Sequence, residues 1–102
     1  MIIDAHTHIG KLPRSQYAKN YRENFDKLLK EAKVNGVSHL LIIAGLERKD
    51  GFNISTKSLV SLVSKIPNVS IIGGIDILNY KRKELIEFEN YLKNKLIVGI
   101  KL

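Results

Sequence analysis

One aspartate and two histidines stand at alternate positions near the start of the chain, in the segment Ile3-Asp4-Ala5-His6-Thr7-His8. Because successive side chains of a β-strand point to opposite faces, a strand here would place Asp4, His6 and His8 on one face. Two imidazoles so spaced at a strand end can bind one divalent metal ion, and a carboxylate beside them can orient an imidazole or approach the metal. We therefore predict His6 and His8 as metal ligands, with Asp4 as an orienting residue or further ligand. The alternative is two solvated histidines at a strand end.

A metal ion bound at such a site would activate a water molecule. A bound divalent ion, with zinc as the first expectation, lowers the pKa of a bound water from about 15.7 towards about 7 and polarises the bond to be cleaved. A catalytic zinc site keeps three protein ligands and a water, whereas this sequence offers two clear ones. We therefore expect no turnover from these 102 residues alone.

The elements that would position these residues follow from the apolar pattern. Short runs rich in β-branched residues, apolar on both faces, predict parallel strands covered by helices over 2–9, 37–44, 69–75 and 96–102. Segments of helical period lie between them. The first predicted helix runs through 21–32, with Asn20 or Asn24 as its N-cap and Gly36 as its stop. The second spans 59–66, and it is opened by Asn53 or Ser55 and ended by Pro67. The third covers 81–94.

The predicted order is therefore β-α-β-α-β-α-β, which implies right-handed crossovers, a parallel sheet and a ligand site at the carboxyl ends of the strands. A barrel and an open doubly wound sheet share this rule, and periodicity does not separate them. The first strand is not followed by G-x-G-x-x-G, and the sequence has no G-x-x-x-x-G-K-[ST], which counts against a Rossmann dinucleotide site and a phosphate loop.

The segment from Ile3 to Gly10 resembles the opening motif of the amidohydrolase superfamily. The segment Gly99-Ile100-Lys101-Leu102 is similar to the stretch that precedes a metal-binding His-Pro in the amidohydrolase-2 branch. The resemblance implies the N-terminal half of a TIM-type (β/α)₈ barrel, with residues 1–102 as a partial metal-dependent hydrolase domain. It further implies one or two divalent metals on the first-strand histidines and a small-molecule substrate cleaved at a C–N, C–O or P–O bond. A naturally short four-stranded domain, or a half barrel completed by another chain, is the alternative.

Two related families share the D-x-H-x-H opening. The polymerase-and-histidinol-phosphatase family typically continues with Thr and a nearby Ser-Asp, where this chain has Ile9-Gly10-Lys11. TatD-type deoxyribonucleases usually place a metal-ligating Glu in the fourth strand, and 96–102 contains no acid. A non-catalytic basic α/β domain that binds a polyanion remains a further alternative, because the net charge is +7. The cations are scattered over predicted helix surfaces, which favours solvated helix faces over a nucleic-acid partner.

Other candidates have weaker support. Asp76 and Lys101 end the third and fourth predicted strands, on the rim of the predicted site, although a strand-end Asp is also a common turn residue. Arg14 and Tyr17 lie in a loop from Lys11 to Asn20 that would overhang the metal and could contact an anionic substrate. His39 is near the start of the second strand, at the opposite end of the sheet, and is predicted to be structural.

The remaining expectations concern location and partners. Cysteine is absent and no apolar run approaches the ~20 residues that span a bilayer, so we expect a cytoplasmic protein without a membrane partner. An isolated half barrel would leave apolar strand residues and unpaired strand edges exposed. Self-association through those sheet edges is therefore expected.

Overall fold

The computed structural model describes residues 1–9, 20–45, 54–63 and 66–102. Strands and helices alternate through them as β1 (Ile2–Thr7), α1 (Tyr21–Val34), β2 (Val37–Ile43), α2 (Thr56–Val63), β3 (Val69–Gly74), α3 (Arg82–Lys93) and β4 (Gly99–Lys101). The strands form one parallel sheet in the order β1-β2-β3-β4. This curled sheet with its helices is a half barrel, as predicted for the N-terminal half of a TIM-type barrel.

The core lies between the sheet and the three helices. Alternate residues of β2 and its end, Leu40, Ile42 and Ala44, are buried, and so are Ile71 and Ile75 around β3. They form one apolar cluster with side chains from every helix, which include Phe25, Leu59, Val60, Val63 and Phe88. The period of two shows that the helices cover one face of the sheet. On the other face, Leu41 and Ile72 are only half-buried, although Ile43 at the end of β2 is buried.

Local side-chain chemistry sets the helix ends. Asn20, rather than Asn24, caps α1: its side-chain oxygen accepts the N–H of Glu23 at 2.8 Å. The helix ends before Gly36, whose positive φ of 71° suits a residue without a Cβ. Ser55 opens α2 by accepting the N–H of Ser58 at its hydroxyl. None of the helices in the described ranges is long and apolar enough to cross a membrane.

The two edge strands are shorter than the apolar runs predicted. β1 ends at Thr7, so that His8 and Ile9 follow the strand, and β4 comprises Gly99–Lys101 only. Leu96 and Val98 precede β4 and are exposed, whereas Ile97 between them is buried in the core. An apolar run therefore predicts burial correctly only where a helix lies over it.

A close approach between β3 and α3 depends on Gly73. A Cβ built on this residue would lie 2.6 Å from Cε1 of Phe88 and 3.3 Å from Cδ1 of Ile97. Both neighbours belong to the core, so neither side chain can move into solvent. A side chain at residue 73 would therefore push α3 away from the sheet.

We predict that Gly73→Ala lowers the free energy of unfolding by about 1–3 kcal/mol, because the methyl group overpacks the core. Urea unfolding followed by circular dichroism measures the change. Gly99→Ala is the matched control in the neighbouring strand, since a Cβ there meets only Cδ1 of Ile72 at an ordinary 3.4 Å. Equal unfolding midpoints for the two variants would contradict the close packing of α3.

We also predict that the chain self-associates through its edge strands. Ile2 and Ile3 on β1 and Ile100 on β4 are exposed apolar residues on strands with one neighbour each in the sheet. Light scattering should show a mass above 11.6 kDa that falls when Ile3→Lys and Ile100→Lys are introduced together. Val34→Lys, at an exposed position on α1, is the control and should leave the mass unchanged.

Candidate metal site

The carboxyl end of β1 is held in place by three consecutive residues. The Thr7 hydroxyl donates a hydrogen bond to the carbonyl oxygen of Leu41 at 2.9 Å, and Nδ1 of His8 lies 3.1 Å from the carbonyl oxygen of Ile43. Ile9 is buried in the core. Side chains thus continue the contact with β2 at and beyond the end of β1, and the contact with Ile43 positions the His8 ring.

The two imidazoles converge at this end of the strand. Nε2 of His6 lies 3.1 Å from Nε2 of His8, and the ring centroids are 5.0 Å apart at an interplanar angle of 67°. Two nitrogens bound to one tetrahedral zinc ion at about 2.0–2.1 Å would be about 3.3 Å apart. The spacing of the pair therefore fits two ligands of one metal ion.

The hydrogen bond to Ile43 determines which nitrogen of His8 faces its partner. A carbonyl oxygen can only accept, so Nδ1 of His8 carries the proton and donates it. In the neutral ring, Nε2 of His8 then presents its lone pair towards His6. A ligating histidine is commonly oriented in this way, by a carbonyl that accepts the N–H of its other ring nitrogen.

Asp4 does not join the pair directly. Its Oδ1 accepts the backbone N–H of His6 at 3.2 Å. The pairing of β1 with β2 is irregular between Asp4 and Thr7, which interrupts the strict alternation assumed from the sequence. Within the described ranges, no group of three His, Asp or Glu side chains is placed to hold a metal. The role of Asp4 as an orienting residue or ligand stays a prediction.

Asp76 follows β3 at the same edge of the sheet, separated from the histidine pair by β2 in the strand order. Its carboxylate accepts the backbone N–H of Leu78 and the side-chain amide of Asn79, each at 3.0 Å. The hydrogen bond from Asn79, followed by the one from Leu78, holds the pKa of Asp76 below its usual value. The carboxylate therefore organises a turn, which is the alternative that the sequence left open.

Among the described residues, the predicted rim residue Lys101 is not brought to the histidines. Lys101 is exposed at the end of β4, separated from β1 by two strands, and its carbonyl accepts the N–H of Ile75 at 3.1 Å. Arg14 and Tyr17 lie outside the described residues. Nε2 of His39 is 2.8 Å from the Ser70 hydroxyl, a contact between β2 and β3 that agrees with a structural role.

A separate cleft of about 350 Å³ opens between the start of α2 and α3. Its lining includes Ser58, Glu84, Glu87 and Tyr91 but neither His6 nor His8. Burial, and to a smaller extent the charge of Glu87, raises the pKa of Tyr91. Sequence analysis did not single out this cleft, because the α3 residues that line it are spaced as in any amphipathic helix.

Comparison with known proteins supports the fold. No protein-family model and no curated protein sequence matches the chain. Among solved structures, the chain is similar to a probable 2-pyrone-4,6-dicarboxylic acid hydrolase from Acinetobacter baumannii, determined with citric acid bound, at a TM-score of 0.59 and 17% sequence identity. The two share a fold. The similarity covers 99% of this chain and 37% of the other, so the chain spans little more than a third of that protein's length.

The turn at Asp76 generates a titration prediction. The pKa of the Asp76 carboxyl, followed by carboxyl ¹³C NMR, should lie below 3.8, and Asn79→Ala should raise it towards that value by removing the largest cause of the shift. The pKa of Asp76 is lower in the folded chain than in the unfolded chain, so the hydrogen bonds to its carboxylate stabilise the folded state above pH 3.8. This stabilisation is lost as the pH falls through the folded pKa. An Asp76 pKa unchanged in Asn79→Ala would contradict the described turn.

Proposed function

We propose that this chain is the N-terminal part of a metal-dependent hydrolase of the amidohydrolase superfamily. His6 and His8 would bind a divalent ion, with zinc the first candidate. When bound, such an ion supplies an activated water and polarises the bond to be hydrolysed. The substrate would be a small molecule cleaved at a C–N, C–O or related bond, and we propose a cytoplasmic location.

The observation that carries the proposal is the convergence of the two Nε2 atoms at 3.1 Å, with His8 held in the matching tautomer by the Ile43 carbonyl. At 3.1 Å the Nε2–H of His6 can donate a hydrogen bond to the Nε2 lone pair of His8, and a shared cation would replace this bond by accepting the lone pairs of both rings. The position supports the proposal too, because enzymes with (β/α) barrels place their sites at the carboxyl ends of the strands.

The solved structure with the same fold supports only the general class of reaction, hydrolysis. It is a probable hydrolase of a dicarboxylic acid, and the half barrel of this chain matches part of its fold. A zinc ion needs a third protein ligand to keep one open position for water, and the described residues supply two. The proposed enzyme therefore needs ligands from beyond these positions, and the general base as well.

Zinc titration by calorimetry tests the proposed ligands. We expect weak binding of one zinc ion per chain. His6→Gln and His8→Gln should each lower the zinc affinity by at least about tenfold, which is the loss expected when a metal ligand or the group that orients it is removed. His39→Gln is the matched control, because His39 bonds to Ser70 and lies on another strand. Circular dichroism should confirm that all three variants remain folded. Equal zinc affinity in the His6 variant and the His39 control would contradict the proposed site.

Activity assays separate a partial site from a complete one. With zinc in excess, we expect the 102-residue chain to hydrolyse neither esters nor amides, because two imidazoles leave the rest of the coordination to water. Zinc-dependent turnover that is lost in His6→Gln would support the metal site but contradict the inference that ligands are missing. DNA binding that is sensitive to salt and unchanged in both histidine variants, without zinc binding, would favour the polyanion-binding alternative.

A further inference from the structure

A surface patch after β3 combines exposed apolar and cationic side chains. In the turn after β3, Leu78 is 86% exposed, Ile77 55% and Tyr80 51%. Three exposed cations follow directly at the start of α3. We call this set the rim patch: Ile77, Leu78, Tyr80, Lys81, Arg82 and Lys83.

The turn that presents the rim patch is held by its own hydrogen bonds. The Asp76 carboxylate accepts from Leu78 and Asn79, and the Asp76 carbonyl accepts the backbone N–H of Asn79 at 3.2 Å. The apolar side chains at residues 77 and 78 thus project from a structured turn. The patch follows β3, which has a strand on each side, so further strands added at the sheet edges would not pair with it.

The cations of the rim patch are unfavourable for the helix that carries them. Lys81 is the N-cap of α3 and makes no side-chain capping bond, and Arg82 and Lys83 begin the first turn. Cations at a helix N-terminus oppose the positive end of the helix dipole. The nearest acids along the chain are Asp76, whose carboxylate stays charged within the turn, and Glu84 in the first turn of α3, so the segment 76–84 has three cations and two acids.

We propose that the rim patch binds the surface of an anionic phospholipid membrane. Aliphatic side chains with a tyrosine, backed by lysine and arginine, suit the interface, where the apolar groups enter the acyl boundary and the cations contact lipid phosphates. A nucleic acid would use stacked aromatic rings, and the patch has one tyrosine beside two aliphatic residues. We expected no membrane partner because no apolar run could span a bilayer, and the proposal departs from that expectation, since peripheral binding needs no spanning segment. The proposal does not depend on the metal site.

Sedimentation with lipid vesicles tests the proposal directly. The chain should bind vesicles that contain phosphatidylserine and not vesicles of phosphatidylcholine alone, and binding should weaken as salt is raised. Because the chain contains no tryptophan, Leu78→Trp supplies a single fluorescent probe. Its emission should shift to the blue on anionic vesicles and be quenched by brominated lipid.

Matched variants separate the patch from the overall positive charge. Lys81→Gln, Arg82→Gln and Lys83→Gln together should weaken vesicle binding by at least about tenfold. Arg22→Gln, Lys30→Gln and Lys33→Gln remove the same charges from exposed positions on α1 and should have a small effect. Ile77→Ser with Leu78→Ser should also weaken binding, whereas Val34→Ser with Leu102→Ser, at equally exposed positions, should not.

Three outcomes would overturn the proposal. The first is absence of binding to anionic vesicles at low salt. The second is equal loss of binding in the α1 and rim-patch charge variants, which would indicate an effect of net charge alone. The third is tighter binding to a single-stranded oligonucleotide than to anionic vesicles, lost with the same rim-patch charges, which would make the patch a nucleic-acid surface.

Discussion

The hydrogen bonds from Thr7 and His8 to carbonyl groups of β2 hold the carboxyl end of β1, and the candidate site depends on them. β1 is an edge strand, most of its residues are exposed, and its pairing with β2 is irregular. Without these two contacts and the burial of Ile9, this end of the strand would have little to oppose its fraying. The His8 ring anchors the strand through Nδ1 and presents Nε2 to His6. The hydrogen bond to Ile43 therefore both holds the strand end and orients the candidate ligand.

The core supports this arrangement from the other face of the sheet. The helices bury alternate residues of β2 and β3, and the close contact of Gly73 with Phe88 brings α3 against the sheet. A second tie joins α2 to β3, where the buried Thr56 hydroxyl accepts the N–H of Gly74 at 2.9 Å. These contacts hold α2 and α3 against β3, which pairs in regular register with β2, and β2 supplies the carbonyl groups that hold β1.

The chemical capacity of the described residues is limited by their number. Two convergent imidazoles make an incomplete catalytic zinc site, because tetrahedral coordination with one open position requires a third protein ligand. In the described structure the Asp4 carboxylate accepts the backbone N–H of His6 and the Asp76 carboxylate is engaged in its own turn, and a role for either at a metal stays a prediction. In the proposed hydrolase, the described residues would bind and orient the metal ion, and other residues would supply the further ligands and the general base.

Local patterns in the sequence were sufficient to predict the order of the elements and most of their ends. Asn20 and Gly36 act through neighbours three residues away. The D-x-H-x-H spacing predicted that His6 and His8 would meet, although β1 ends before His8 and its pairing is irregular after Asp4. The choice between a barrel-like and a doubly wound strand order, the tautomer of His8 and the break in alternation after Asp4 were decided by tertiary structure. The reason is physical: the carbonyl that orients His8 belongs to Ile43, 35 residues along the chain, and only the packed sheet brings the two together.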